Sequence, residues 1–163
     1  MVTFTSQNFG AAQYERCRKV YRCCIASSIL ITGGMSLIFL LGRGFFVSLF
    51  TTDPDVTGFA VIRMLYVLSF IPLASTYEIG GASLRGIGYS MTPAVLTVFG
   101  TCLFRLVWIY TVCRIFTDFR ILMIVYPISW LITGASVLAA YYIIRKKVFS
   151  RRDFLRISED PQL

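Results

Sequence analysis

Cys23 to Leu41 reads CCIASSILITGGMSLIFLL, nineteen residues without a charged side chain. A helix rises about 1.5 Å per residue, so a run of this length crosses the ~30 Å hydrocarbon core of a bilayer. Apolar sequence continues past Gly42-Arg43-Gly44 to Phe50, which leaves room for a longer or tilted helix. Working outward, further spans are predicted over residues 59–82, 94–113 and 121–144. Between the first two, Thr51-Thr52-Asp53-Pro54-Asp55 is a break and a helix start. Asp53 suits the N-cap, Pro54 the first helical position, and Asp55 the positive end of the helix dipole. Pro72 falls in the middle of the second span and should kink it, and Pro127 lies in the first half of the fourth. The reading is an all-α integral membrane protein with about four transmembrane helices. A cytoplasmic segment, 1–22, precedes them, and a basic cytoplasmic tail, 145–163, follows as a surface-bound or disordered stretch.

Composition agrees. Of 163 residues, 56% are apolar, against about 45–50% in soluble domains, and the excess sits in blocks rather than in one amphipathic stripe. The net charge of +8 would suit nucleic acid, but its distribution does not. Arg16, Arg18, Lys19 and Arg22 precede the first block, and Arg145, Lys146, Lys147, Arg151, Arg152 and Arg156 follow the last. Basic flanks around apolar spans mark cytoplasmic loops and suit anionic lipid headgroups. The expected partner is the membrane, not nucleic acid. The chain is therefore read as multi-pass in the cell (inner or plasma) membrane, both termini cytoplasmic, with Asp53/Asp55 and Arg114/Asp118/Arg120 on the outer loops. The chain has no histidine, which removes imidazole ligands and Ser-His-Asp triads. Its five cysteines show no CxxC spacing and read as small apolar fillers. No Walker A or GxGxxG frame occurs, so neither ATP-driven pumping nor enzymatic chemistry is indicated.

Charge inside the spans is the most informative remaining feature, because an ionised group at the bilayer centre costs about 2.5–3.5 kcal/mol even on insertion scales. Glu78 and Arg105 lie within spans, and Arg63 lies nearer a boundary, where it can snorkel to the interface. Arg105 can pair with a carboxylate or with helix carbonyls. Glu78, on a Pro-kinked helix before Gly80-Gly81, can bind a cation or carry a proton; the competing reading pairs it with Arg85, seven residues on. Aromatics are frequent: Tyr66, Phe70, Tyr77, Trp108, Tyr110, Tyr126 and Trp130. Most such rings anchor at interfaces, and some can line a cavity for flat cations. Tyr77 is grouped with Glu78 and Arg105 as a candidate ion- or substrate-binding residue.

Three ordered motifs carry a family resemblance. Gln7-Asn8-Phe9-Gly10-Ala11, followed by Tyr14-Glu15-Arg16, resembles the QN-x-GA segment of the MATE (multidrug and toxic compound extrusion) transporters. Leu84-Arg85-Gly86-Ile87-Gly88-Tyr89-Ser90-Met91-Thr92-Pro93 resembles the family's LRG-x-G…P loop, and Arg105-Leu106-Val107-Trp108 the helix that follows it. The resemblance implies a fold of about twelve helices in two lobes. The basic tail to Leu163 then reads as a true C-terminus and this chain as the last four helices of the second lobe, without the N-terminal part of the transporter.

It further implies a cation-coupled antiporter, with H+ or Na+ as coupling ion and an organic cation or drug-like substrate. In that frame Glu78 takes part in cation or substrate binding. Gln7, Asn8, Gly10, Pro72, Arg85, Gly86, Gly88 and Pro93 have gating or structural roles. A chain of this kind is expected to be inactive alone. The competing readings are a lipid-linked sugar flippase of similar fold, a non-transporting membrane assembly module, and a truncated product without function.

Overall fold

A computed structural model describes residues 1–116 and 118–159, with side chains to residue 150. Among the described residues every regular element is helical. A short α1 (Val2–Gly10) leads into α2 (Tyr14–Leu41), α3 (Arg43–Ser48), α4 (Pro54–Leu68) and α5 (Ile71–Gly86). Then come α6 (Met91–Thr97), a π-helical segment (Val98–Leu103), α7 (Phe104–Ile115) and α8 (Phe119–Glu159). Three helical stretches are long and apolar enough to cross a membrane: Tyr14–Leu41, Met91–Ile115 and Phe119–Ser150. The bent pair α4 and α5 makes a fourth if it counts as one span.

The local causes are readable. Asp53 accepts a hydrogen bond from the Asp55 amide at 2.9 Å, and Pro54 follows it as the first residue of α4. The bend between α4 and α5 is 44°. Pro72, in the first turn of α5, has no N–H to offer the carbonyl of Leu68, where α4 ends.

Two boundaries differ from the sequence expectation. The first long helix begins at Tyr14, not Cys23, so Arg16, Arg18, Lys19 and Arg22 ride on the helix. The last helix does not give way to a tail at Arg145 but runs to Glu159; residues 160–163 lie outside the described residues. The reason is the same at both ends. Lys and Arg interrupt an apolar run without weakening a helix, and apolar side chains at helical spacing continue through them. These are Tyr14, Cys17 and Tyr21 on α2, and Tyr141 and Phe149 on α8.

Those side chains meet. Phe9, Tyr14, Cys17, Tyr21, Leu84, Ile87, Tyr141 and Phe149 form one buried cluster where α1, α2, α5 and α8 converge. Tyr14 stacks on Phe149 with centroids 4.8 Å apart, and Tyr21 on Tyr141 at 4.3 Å. The Cys17 thiol donates to the Thr5 carbonyl at 3.7 Å.

Two turns of one design close α1 and α5 at this end. After α5, the Tyr89 amide donates to the Leu84 carbonyl at 2.9 Å and the Gly88 amide to Arg85 at 3.1 Å. Gly88 takes φ +96°, as a Schellman closure requires. After α1, the Gln13 amide donates to the Asn8 carbonyl at 2.8 Å and the Ala12 amide to Phe9 at 3.1 Å. Here Ala12 occupies the left-handed position, at φ 55°. Gly86 has another reason to be glycine, since a Cβ there would lie 2.6 Å from Thr5 Cβ and 3.0 Å from the Val2 carbonyl oxygen.

Gly86→Ala should therefore cost about 1–3 kcal/mol of unfolding stability in detergent, as overpacking does. Gly10→Ala, with nothing within 4 Å of its Cβ position, should change stability by less than about 0.5 kcal/mol, as surface substitutions do. Equal effects of the two would show that the α1–α5 crossing is not a tight contact.

Candidate functional site

At Gly100 the third span is pressed onto α8. Gly100, inside the π-helical segment, is buried so close to Thr133 that an added Cβ would stand 3.1 Å from Thr133 Cβ and 3.2 Å from its Cα. The wider π turn lies just before Arg105 in the chain, and such turns often mark functional places in helices. Arg105 donates from Nε to Ser129 Oγ at 3.1 Å, and Ser129 Oγ donates to the Tyr126 carbonyl at 2.9 Å. The guanidinium carbon lies 4.5 Å from the Tyr126 ring centroid and 6.0 Å from that of Trp130. Residues 126, 129, 130 and 133 recur at helical spacing, so one face of α8 supplies all of these groups.

Arg105 is thus held by a hydroxyl and two aromatic faces, not by a carboxylate. Among the described residues the one ion pair joins Arg18 and Glu15. Thr133 Oγ1, buried on the same face of α8, has no hydrogen-bond partner among the described residues.

Tyr77 enters this neighbourhood from α5. It is buried, and its ring lies 3.8 Å from the position a Cβ would take on Gly134. Glu78 itself is turned the other way. It is exposed, and it makes no ion pair with Arg85, which is exposed on the same side of α5. The structure therefore packs Arg105 and Tyr77 against successive turns of α8, at Ser129 and at Gly134, and leaves Glu78 exposed. Among the described residues no group of three Cys, Asp or Glu side chains could hold a metal ion, so a cation at Glu78 would draw its other oxygens from carbonyls or hydroxyls.

The remaining motif residues fall elsewhere. Gln7 is exposed, and Gly10 has open space around it. Asn8 Nδ2 donates to the Phe4 carbonyl at 2.7 Å. Pro93 is buried, its Cβ 3.3 Å from the place of a Gly81 Cβ. Arg63 is exposed on the wall of an apolar groove of about 740 Å³ that also holds Phe39, Phe46, Phe50 and Met64. Tyr126 and Trp130 serve Arg105, whereas Trp108 donates to the Ile121 carbonyl at 3.2 Å across the α7–α8 turn. Ser129 and Thr133 escaped notice in the sequence, although their i, i+4 spacing beside Tyr126 and Trp130 was a usable sign of a partly polar helix face.

A family model described as MatE matches residues 1–111, 111 of the 163 residues. The match takes in both glycine-bearing turns, Glu78 and Arg105, and stops before α8. Among curated proteins none matches the chain.

If the aromatic faces hold Arg105, Arg105→Gln and Tyr126→Leu should be coupled. A double-mutant cycle on unfolding in detergent should return about 0.5–2 kcal/mol of interaction. Additivity within about 0.3 kcal/mol would remove Tyr126 from the site.

Proposed function

The chain belongs to the MatE family of membrane transporters, and from that premise we propose that it forms part of a cation-coupled antiporter that exports drugs or organic cations. The coupling ion is H+ or Na+, and Glu78 is the residue that takes it or the cationic substrate. The observation that carries the reading is the state of Glu78: an exposed carboxylate on a bent helix, unpaired with Arg105, which Ser129, Tyr126 and Trp130 already hold. A carboxylate placed in a membrane span is retained for an ion or substrate path. Arg105, satisfied by Ser129, Tyr126 and Trp130, leaves Glu78 free for an exchangeable cation.

The bend at Pro72 and the turn at Arg85, Gly86 and Gly88 are the places where the helix pack can change shape. We assign them to gating, together with the α1 motif of Gln7, Asn8 and Gly10 and the buried Pro93. The end where α1, α2 and α8 meet faces the cytoplasm in this scheme, in keeping with its basic residues. Movement of cargo then follows from rocking one helix group against another around a fixed site.

Glu78 faces away from the packed helices, and a coupling site must line a cavity. The scheme therefore needs further helices to cover that side. Reconstituted alone in liposomes under a proton or sodium gradient, the chain should show no Glu78-dependent movement of an organic cation such as ethidium. Joined with the whole missing N-terminal part of a MATE transporter, the first lobe and the first two helices of the second, it should transport. There Glu78→Gln should reduce gradient-driven flux at least tenfold, about 1.4 kcal/mol of lost coupling, while Glu78→Asp retains part of it. Undiminished flux in Glu78→Gln would overturn the assignment.

A further inference from the structure

A second site lies beside Phe149 of the aromatic cluster. Between the first turns of α2 and the late turns of α8 is a pocket of about 230 Å³, lined by Arg18, Tyr142, Arg145, Lys146, Phe149 and Ser150. Its two arginines are held in place by rings. Arg145 sits over Tyr141 at 5.2 Å and over Tyr142 at 5.0 Å, and Arg18 over Phe149 at 5.9 Å. Glu15 pairs with Arg18, whereas Arg145 and Lys146 have no carboxylate within ion-pair distance among the described residues. Among the described side chains, three cations stand against one carboxylate around a small preformed space.

We propose that this pocket binds the phosphate headgroup of an anionic lipid. Arginine forks and a lysine ammonium match the several acceptor oxygens of a phosphate, and ring stacking has already fixed where the guanidiniums stand. The volume is below the ~300 Å³ at which drug-sized pockets begin, so the space suits a phosphodiester and not a bulky drug. Its place along α8 favours a lipid over a soluble phosphate. The pocket lies where the apolar run of α8 gives way to Arg145 and Lys146, with Ile143 two-thirds exposed beside Tyr142, so acyl chains attached to a headgroup there would have an exposed apolar surface to run along. Basic pockets at this level of a helix bundle are headgroup sites on physical grounds. The proposal uses none of the residues assigned to ion coupling.

The test is a binding measurement on the full chain in neutral detergent, by native mass spectrometry and by thermal shift. The probes are phosphatidylglycerol, phosphatidylcholine and inorganic phosphate. Phosphatidylglycerol should bind and raise Tm, and the other two should not. Lys146→Gln, which touches no ring, should weaken phosphatidylglycerol about fivefold, and Arg145→Gln/Lys146→Gln about twenty-five-fold, at roughly 1 kcal/mol per cation. Lys19→Gln/Lys147→Gln removes two charges from the same helices outside the pocket and should stay within twofold of wild type. An equal loss in that control would mean diffuse surface charge, and would overturn the site. Equal binding of phosphatidylcholine, or of inorganic phosphate, would overturn the headgroup assignment.

Discussion

Apolar side chains gain little by leaving lipid tails for one another, so helices in a bilayer hold through close van der Waals contact and hydrogen bonds. In this chain that constraint is met at glycines on α5. Gly80 brings α5 to Leu138, Gly81 brings it to Pro93, and Gly86 brings it under Thr5. On the facing helix Gly134 makes room for Tyr77. The face that carries Gly80, Gly81, Ser83, Leu84 and Gly86 is thereby committed to protein contact. Every other placement on α5 follows. Tyr77 shares the buried face, Glu78 and Arg85 are turned away from it, and Leu84 reaches the aromatic cluster.

Arg105 shows how a membrane helix can hold a charge without a counter-ion. The roughly 2.5–3.5 kcal/mol cost of a cation in the bilayer is of the same size as a charged hydrogen bond, about 1.5–3 kcal/mol, together with a cation–π contact of about 0.5–2 kcal/mol. Ser129 and Tyr126 supply those two interactions. No acidic residue is consumed in the process, which is why the carboxylate on α5 stays open.

Much of this architecture was legible in one dimension, and the parts that were not have common causes. Charge-free runs located the apolar stretches, Asp53-Pro54 located the start of α4, and Pro72 located the bend, because each acts through local chemistry. The glycine-punctuated motifs pointed to turns. What they could not convey is that Phe9 and Leu84 pack into the same cluster, since that contact joins segments some seventy-five residues apart. The start of α2 and the end of α8 were misplaced because charge was read as a helix boundary when it marks only a change of solvent. The π segment was not read from the sequence: Val98–Leu103 lies inside a continuous charge-free run, and its Gly100 is pressed against Thr133 on another helix. Arg105 was found, but its Ser129 partner was not, because a serine in a long apolar helix is ordinary until an arginine faces it.

The uninterrupted length of α8 has a mechanical consequence. The same rod that cradles Arg105 at Tyr126–Trp130 carries Phe149 into the aromatic knot, twenty residues and about 30 Å further along its axis. A tilt of about 5° pivoting near Ser129 would sweep Phe149 through roughly 2.6 Å over that lever arm, enough to unseat a stacked ring. On that geometry a small tilt at the mid-helix cluster would be felt where Phe149 meets Phe9 and Tyr14, with no relay of side chains in between.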